Sequence, residues 1–347
     1  MESGSNTGLE RVEKDMQVEE SMSFGARMFG LFEAGVVTLV AVFLIFCSNF
    51  RSYCYVLLAW DKVVSPLNCK GTVKDAWNWG TVSFEQDDTR LALDIAEQAS
   101  LSLLAVRRAG FATGEFGKTL SDRGDTVSEG IIREIIRSNR PGDSVLSEEQ
   151  LTDDLNRLNA ERVWIVDPLD GSWEFGTEGN DEWAVHIALW SKQCVSTEAT
   201  AGISVAVVAL PAKEKVYTSF DSIESIHTAK SPMRVVVSAS RPPGWISRLT
   251  DYLDLEIVPM GSAGVKAMEV VAGRADAYIH AGGQYEWDSA APVGVALSCG
   301  LHASRINGAA LNYNRADPYL PDILICNNAV ASELLRVISE VCGQYES

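Results

Sequence analysis

The sequence predicts a mixed fold, α+β or α/β, in which sheets and helices form layers. Three observations carry this. Between residues 87 and 347, stretches with apolar residues at helical spacing alternate with short runs rich in Val, Ile and Trp. Gly, Pro, Asp and Asn punctuate the boundaries, and such alternation packs as layers of helix on sheet. The 347 residues are 46% hydrophobic and 22% charged, a globular composition long enough for one large domain or two smaller ones.

The elements follow in order. "DDTRLALDIAEQASLSLLAVRRAG" places Leu91, Ile95, Ala96, Ala99, Leu103, Leu104 and Val106 at mostly helical spacing, with Asp88 as cap and Gly110 as stop. "DTVSEGIIREIIRSNRPGD" predicts a second amphipathic helix ended by Pro141–Gly142. Short strands are predicted at 144–147, 162–166, 184–190, 203–209 and 215–217. The second half reads strand 234–238, helix 244–253, strand 256–259, helix 262–273, strand 275–280, helix 289–299 and strand 323–326. There is no internal repeat and no low-complexity tract.

The first 86 residues differ. Residues 1–27 carry six acids and three bases without apolar periodicity, and read as disordered. Residues 28–60 are a hydrophobic segment, with no charge from Ala34 to Phe50. A membrane span needs about 20 apolar residues, with about 17 as the lower limit. Including residues 28–32, at the cost of Glu33, reaches that length. Three readings stand side by side: a membrane anchor over residues 28–50, a buried or amphipathic extension, and a translated upstream segment outside the working protein. The late start and acidic lead-in argue against a cleaved signal peptide. If the segment spans, Arg51, Lys62, Lys70 and Lys74 on its C-terminal side place the folded part in the cytoplasm. Residues 61–86 read as a linker.

The formal charge is −18, which argues against a nucleic-acid polymer as partner but leaves room for a small phosphorylated substrate if metals supply positive charge. Seven cysteines (47, 54, 69, 194, 299, 326, 342) form no CxxC pair and are odd in number, which points to free thiols in a reducing compartment. The histidines at 186, 227, 280 and 302 have no HExxH spacing, which argues against a zinc hydrolase.

Carboxylates collect at element ends. "SVLSEE" closes with Glu148 and Glu149, "WIVDPLDGSWEFG" places Asp167 and Asp170 around a proline turn, and "YEWDSAAP" puts Asp288 at a helix start. Two like charges in a tight turn call for a cation between them. Mg²⁺ takes oxygen ligands, a few carboxylates with water and phosphate. Pro168 stiffens the turn, Gly171 permits a sharp exit, and the Leu169 carbonyl is a further oxygen donor. The N–H groups of Gly171 and Ser172 suit a phosphate oxygen. The competing reading, that Asp167 and Asp170 only cap a turn, does not account for the other acids.

Together "SEE", "WIVDPLDGSWEF" and "WDSAAP" resemble the inositol monophosphatase superfamily of Mg²⁺-dependent, lithium-sensitive phosphatases. The match is closer to its CysQ branch, the 3'(2'),5'-bisphosphate nucleotidases, in an actinobacterial-like form. "RPGDSVLSEE", "DEWAVHIALW", "GSAGVKAMEVVAGRADAYIHAGGQYEWDSAAPVGVAL" and "LNYNRADPYLPDILIC" carry it across roughly residues 88–340. The resemblance implies an αβαβα sandwich of the inositol monophosphatase/fructose-1,6-bisphosphatase type, and two or three Mg²⁺ ions. Glu148, Asp167 and the Leu169 carbonyl would hold one ion, and Asp167, Asp170 and Asp288 a second. Asp125 would help a third and, with Ser172, orient the attacking water. Glu149 reads either as a support behind them or as a solvated side chain. Two positions depart from the family: Ser172 stands where threonine is usual, and the Asp125 region lacks the usual lead-in.

The implied reaction is metal-assisted in-line hydrolysis of 3'-phosphoadenosine 5'-phosphate to AMP, or of 3'-phosphoadenylyl sulfate to adenylyl sulfate, in sulfate assimilation. Inositol monophosphate and fructose 1,6-bisphosphate are the alternative substrates within this chemistry. A non-catalytic, membrane-tethered regulatory protein is the alternative of another class, and the complete acid set argues against it. The resemblance also implies a homodimer. For the second phosphate, Lys266 near a helix start is a candidate contact, against the reading of a solvated lysine. Ser240 and Arg241 after a strand are candidates for the nucleotide, and Asn314 and Asp317 for a loop shaping the pocket. Trp287 reads as packing beside Asp288, His186 as a core residue, and Trp173 and Trp183 as either pocket mouth or core.

Overall fold

The computed structural model describes residues 87–149, 155–196, 201–220 and 231–345. The expectations for residues 1–86, the membrane anchor and linker included, lie outside the described residues. Among the described residues no helix is long and apolar enough to cross a membrane.

Two long helices open the described chain, α1 (Asp87–Thr113) and α2 (Gly117–Asn139). They pack on a five-stranded sheet ordered β1 (Ser144–Ser147), β2 (Arg162–Asp170), β3 (Ala184–Ser191), β4 (Ile203–Leu210) and β5 (Lys215–Thr218). β1 and β2 are parallel and the remaining pairs antiparallel. A second five-stranded sheet is ordered β7 (Leu255–Met260), β6 (Met233–Ser238), β8 (Ala277–Tyr285), β10 (Tyr319–Cys326) and β9 (His302–Ser304). A single helical turn, α3 (Ser172–Phe175), follows β2, and α4 (Ala263–Val271), α5 (Glu286–Ser298) and α6 (Asn328–Tyr345) complete the fold.

Strand alternation sorts the cores. Trp164 and Val166 of β2 join the cluster formed with Leu91, Ile95, Leu103, Leu120 and Ile132 of α1 and α2. Their neighbours Val163 and Ile165 point the other way, into a cluster with Val265 and Met268 of α4, Val293 of α5 and Tyr278 of β8. The far face of the second sheet is covered by Val330, Leu334, Val337, Ile338 and Val341 of α6. The layers therefore run helices, sheet, helices, sheet, helix: the αβαβα sandwich.

Several boundaries differ from the sequence reading. Gly110 does not stop α1. The helix continues to Thr113, and Gly114 at φ +76° follows it. Gly110 instead lets Leu120 of α2 lie against the helix, where a Cβ would overlap Leu120 Cδ1. Asp88 is not the cap, since it lies inside a helix that already includes Asp87; its carboxylate accepts from Arg140 (2.8 Å) and Arg162 (2.8 Å). α2 starts at Gly117, so Asp125 lies inside a helix. The helix expected at 244–253 is a 3₁₀ turn, Ile246–Asp251. The sequence reading missed α6, although its buried residues recur at helical spacing.

The chain after α3 meets the start of α2 backbone to backbone. Gly117 N donates to Gly176 O at 2.9 Å, and a Cβ on Gly176 would sit 2.5 Å from Gly117 O. Backbone gives way less readily than a side chain, so Gly176→Ala is expected to cost about 1–3 kcal/mol. In melting temperature that is a fall of about 3–10 °C. Gly130 in α2 has nothing within 4 Å of its would-be Cβ, so Gly130→Ala should hold or raise the melting temperature. Calorimetry of both variants checks the pair.

Candidate active site

The site begins with a register shift. Asp167 pairs with His186 across β2 and β3, whereas Asp170 pairs with Ala184. Three residue steps on β2 match two on β3, which is a one-residue bulge. In a regular strand, side chains three apart point to opposite faces. The extra residue restores parity and puts both aspartates on one face, the face of α4 and α5. Pro168 has no N–H for the ladder, so the bulge falls where pairing is already lost. Ser128 Oγ of α2 donates to the Pro168 carbonyl at 2.8 Å, and Leu169 N donates to Asp167 Oδ1 at 3.0 Å. The Leu169 side chain is fully buried, which anchors the turn.

Asp288 comes from the first turn of α5, where Tyr285 N donates to its Oδ2 at 2.7 Å. One carboxylate oxygen each from Asp167, Asp170 and Asp288 lie within 4.8 Å of one another. Two unit charges at such a separation repel by about 3 kcal/mol at an effective dielectric of about 20. The titration behaviour records that stress. Burial, then the charges of Glu148, Asp170 and Asp288, push Asp167 well above the carboxylate range. Burial and Asp170 push Asp288 to about 6. Burial, with Asp288, Glu149 and Asp170, pushes Glu148 to about 7. Asp125, buried on α2, rises to about 8 through burial and the charges of Glu149 and Glu148. Glu149 is also raised, by burial and Glu129.

Asp170 is the exception. Burial acts to raise it, but the combined effect of His186, Lys266 and Ser262 holds it below the ordinary range. Its Oδ2 accepts from Ser262 Oγ and from Gly264 N (2.7 Å), and lies 3.3 Å from His186 Nε2. Gly264 is required there, because a Cβ would overlap His186 Nε2. The sequence reading of His186 as a core residue holds for its burial, with Nδ1 at 3.1 Å from the Trp287 carbonyl. Its contact with Asp170 was missed, as was that of Ser262; the register of β3 against β2 alone reveals the former.

The turn expected to cradle a phosphate follows Asp170. Gly171 has φ +91°, and a Cβ would sit 2.8 Å from the Glu182 carbonyl, so only glycine fits. Ser172 then opens α3, whose first N–H groups lack intrahelical acceptors. Its Oγ donates to the Leu169 carbonyl at 3.1 Å, which leaves that oxygen a second lone pair. Arg107 fixes the chain beyond by donating to the carbonyls of Phe175 (2.9 Å) and Thr177 (2.7 Å).

Lys266 has a different setting from the expected phosphate contact. It is 4% exposed, and its ammonium donates to the carbonyls of Met260, Gly261 (3.1 Å) and Ser262. It props the loop that delivers Ser262 to Asp170; Glu182 Oε2 holds the same loop through Gly261 N at 2.7 Å. Arg241 is exposed, donates to the Gly283 carbonyl at 3.2 Å, and is felt electrostatically by Asp288. Ser240 is exposed, 3.3 Å from Ser238 Oγ. Trp183 is fully buried and Trp173 is 67% exposed. Asn314, at φ +59°, is buried between Arg157 and Glu286, and Asp317 accepts from Tyr319 N at 3.0 Å.

An all-oxygen donor set whose members repel one another fits a hard divalent cation. Sequence comparison agrees with this architecture. The inositol monophosphatase family profile matches residues 88–342, and the chain belongs to that family. Within it, the chain is 48% identical over 262 residues to the 3'-phosphoadenosine 5'-phosphate phosphatase of Mycobacterium leprae, covering 74% of this chain and 95% of that protein. The protein of that name from Mycobacterium tuberculosis is 50% identical over 225 residues, 64% of this chain and 83% of the relative. The 3'(2'),5'-bisphosphate nucleotidase CysQ of Escherichia coli K12 is 28% identical over 200 residues, 56% of this chain and 80% of its own. Among solved structures, CysQ from Bacteroides thetaiotaomicron superposes with a TM-score of 0.57 at 23% identity, over 70% of this chain and 98% of that one, which shows the fold.

The raised carboxyls set the pH dependence of stability. Asp288, Glu148 and Asp125 titrate at about 6, 7 and 8 in the folded chain. In the unfolded chain, carboxyls titrate near about 4. Between about pH 4 and 8 the folded chain holds protons that the unfolded chain has released, so stability falls as pH rises. In chelator, the melting temperature should drop from pH 5 to pH 8, and added Mg²⁺ should remove most of the drop. A flat or rising profile in chelator would contradict the acid cluster.

Proposed function

We propose that the chain is a 3'(2'),5'-bisphosphate nucleotidase that hydrolyses 3'-phosphoadenosine 5'-phosphate to AMP and phosphate, with Mg²⁺ as its cation. The observation that carries this reading is the convergence of Asp167, Asp170 and Asp288 within 4.8 Å beside the Gly171–Ser172 turn. Similarity to the mycobacterial phosphatase over 95% of that protein supports the substrate. 3'-Phosphoadenylyl sulfate shares the 3'-phosphate and is a second substrate on the same reading, with a place in sulfur assimilation.

The residues divide the work. Glu148, Asp167 and the Leu169 carbonyl would hold one cation, and Asp167, Asp170 and Asp288 another; Asp125 would assist a third. Bound divalent cations supply charge neutralisation, an acidified water and relief of charge on the leaving oxygen. Ser172 and Asp125 orient the attacking water toward phosphorus. Glu149 lies close enough to Asp125 for its charge to raise the Asp125 carboxyl. The N–H groups of Gly171 and Ser172 donate to the phosphate oxygens. Ser240 and Arg241 border the rest of the substrate. Lys266 acts on the site through the 260–262 loop, a positioning role.

The test is phosphate release by the full chain from 3'-phosphoadenosine 5'-phosphate, inositol 1-phosphate and fructose 1,6-bisphosphate, with Mg²⁺ or chelator. The nucleotide should be preferred, and chelator should abolish release. Asp167→Asn should lower kcat/KM by about 10³-fold or more, since it removes a shared ligand. Preference for inositol 1-phosphate or the fructose compound would keep the acid cluster and overturn the nucleotide assignment.

A further inference from the structure

A cluster of exposed aromatic rings lies one helical turn from the acid cluster. Tyr285 ends β8 and precedes α5, three residues before Asp288, and its backbone N–H holds the Asp288 carboxylate. Its ring stacks on Trp287 with centroids 4.8 Å apart and planes 8° apart. Its cross-strand partner is Tyr319 of β10, which meets it edge to face at 5.7 Å. Despite two aromatic neighbours Tyr285 is 41% exposed, and Tyr319 is 36% exposed. Large rings so well supplied with partners are usually covered, so the free face of this stack is available for a further ring.

The surroundings are ordered toward the same space. Gly282 and Gly283, inside β8, have φ of +94° and +76° where its register against β10 shifts. Gly283 N donates to the Tyr319 hydroxyl and Gly283 O accepts from Arg241, both at 3.2 Å. Arg241 and Tyr319 are thereby tied to Gly283, two residues before Tyr285. At Gly283 a Cβ would sit 2.6 Å from Arg241 Nη1, so a side chain there would displace the guanidinium. A flat ring, a second ring set edge-on and a cation make a surface for a planar, electron-rich group carried by an anion.

We propose that the Tyr285 ring, backed by Trp287 and flanked by Tyr319 and Arg241, is the stacking platform for the base of a nucleotide substrate. This rests on the nucleotide reading above and names the group that sets its specificity. Acids that hold cations and backbone N–H groups that hold a phosphate do not distinguish a nucleotide from a sugar phosphate. An aromatic face does, because stacking is available only to the substrate that carries a base.

The experiment compares kcat and KM of the full chain for 3'-phosphoadenosine 5'-phosphate and for base-free ribose 3,5-bisphosphate. Tyr285→Ala should raise KM for the nucleotide by about 5- to 100-fold and leave KM for the base-free compound unchanged. Tyr285→Phe should restore the nucleotide KM, and Tyr319→Ala should shift it in the same direction by less. Should the alanine variant fail to fold, Tyr285→Leu keeps bulk without the ring and is expected to behave as alanine does. Equal losses on both compounds, or no change on either, overturn the platform. Wild-type preference for the base-free compound would instead overturn the nucleotide reading itself. Wild-type preference for the nucleotide that survives Tyr285→Ala overturns the platform alone.

Discussion

The one-residue bulge at Asp167–Asp170 is the constraint on which the rest depends. Without it the two aspartates would point to opposite faces of the first sheet, one into the α1–α2 core and one toward α4 and α5. With it they share a face, and their repulsion must be met. The protein meets half of it. Ser262, Gly264 and His186 converge on one oxygen of Asp170 and keep that residue ionised, while Asp167, Asp288 and Glu148 remain stressed. The site is therefore built of one acid kept ionised by contacts to one of its oxygens and several whose mutual repulsion calls for an external cation.

Much of this was legible in the sequence, for a physical reason in each case. A proline between two aspartates and a glycine after them fix a turn locally, so a turn carrying both acids was readable without tertiary knowledge. The alternation of β2 was legible in the same way. What could not be read was parity. The bulge exists only relative to β3, and the sequence does not print the register. His186 suffered similarly: its apolar surroundings correctly implied burial, but its contact with Asp170 is cross-strand. The early start of α2 was hidden because "GKTLSDRG" is rich in poor helix formers, which Leu120 and Ser121 override by burying against neighbouring elements. The period of α6 is plain in the sequence, with Val330, Leu334, Val337, Ile338 and Val341 buried along one face.

Lys266 illustrates a limit on reading charge from sequence. A lysine near a helix start suggests an anion contact. In the structure the nearest unsatisfied groups are carbonyls, those of Met260, Gly261 and Ser262, and a buried ammonium must have acceptors. Burial pulls the Lys266 amine below its ordinary range, while Asp170 and Glu174 oppose that pull. The cation thus acts on Asp170 twice, through the field and through the loop that carries Ser262.

The core between the two sheets explains why such a stressed site can be held still. α4 and α5 lie between the sheets, and each presents a glycine where a side chain would not fit: Gly264 against His186, and Gly294 with its would-be Cβ 2.7 Å from Ala206. Close approach of backbone to sheet holds α5, whose first turn carries Asp288 and directly follows Tyr285. The carboxylate that completes the acid cluster and the exposed ring beside it are then positioned by the same packing. Rigid placement of both is what the proposed reading requires, with one helix end serving a phosphate on one side and a planar group on the other. A helix free to shift would relieve the repulsion among the acids, and in doing so would disperse the cluster that a cation requires.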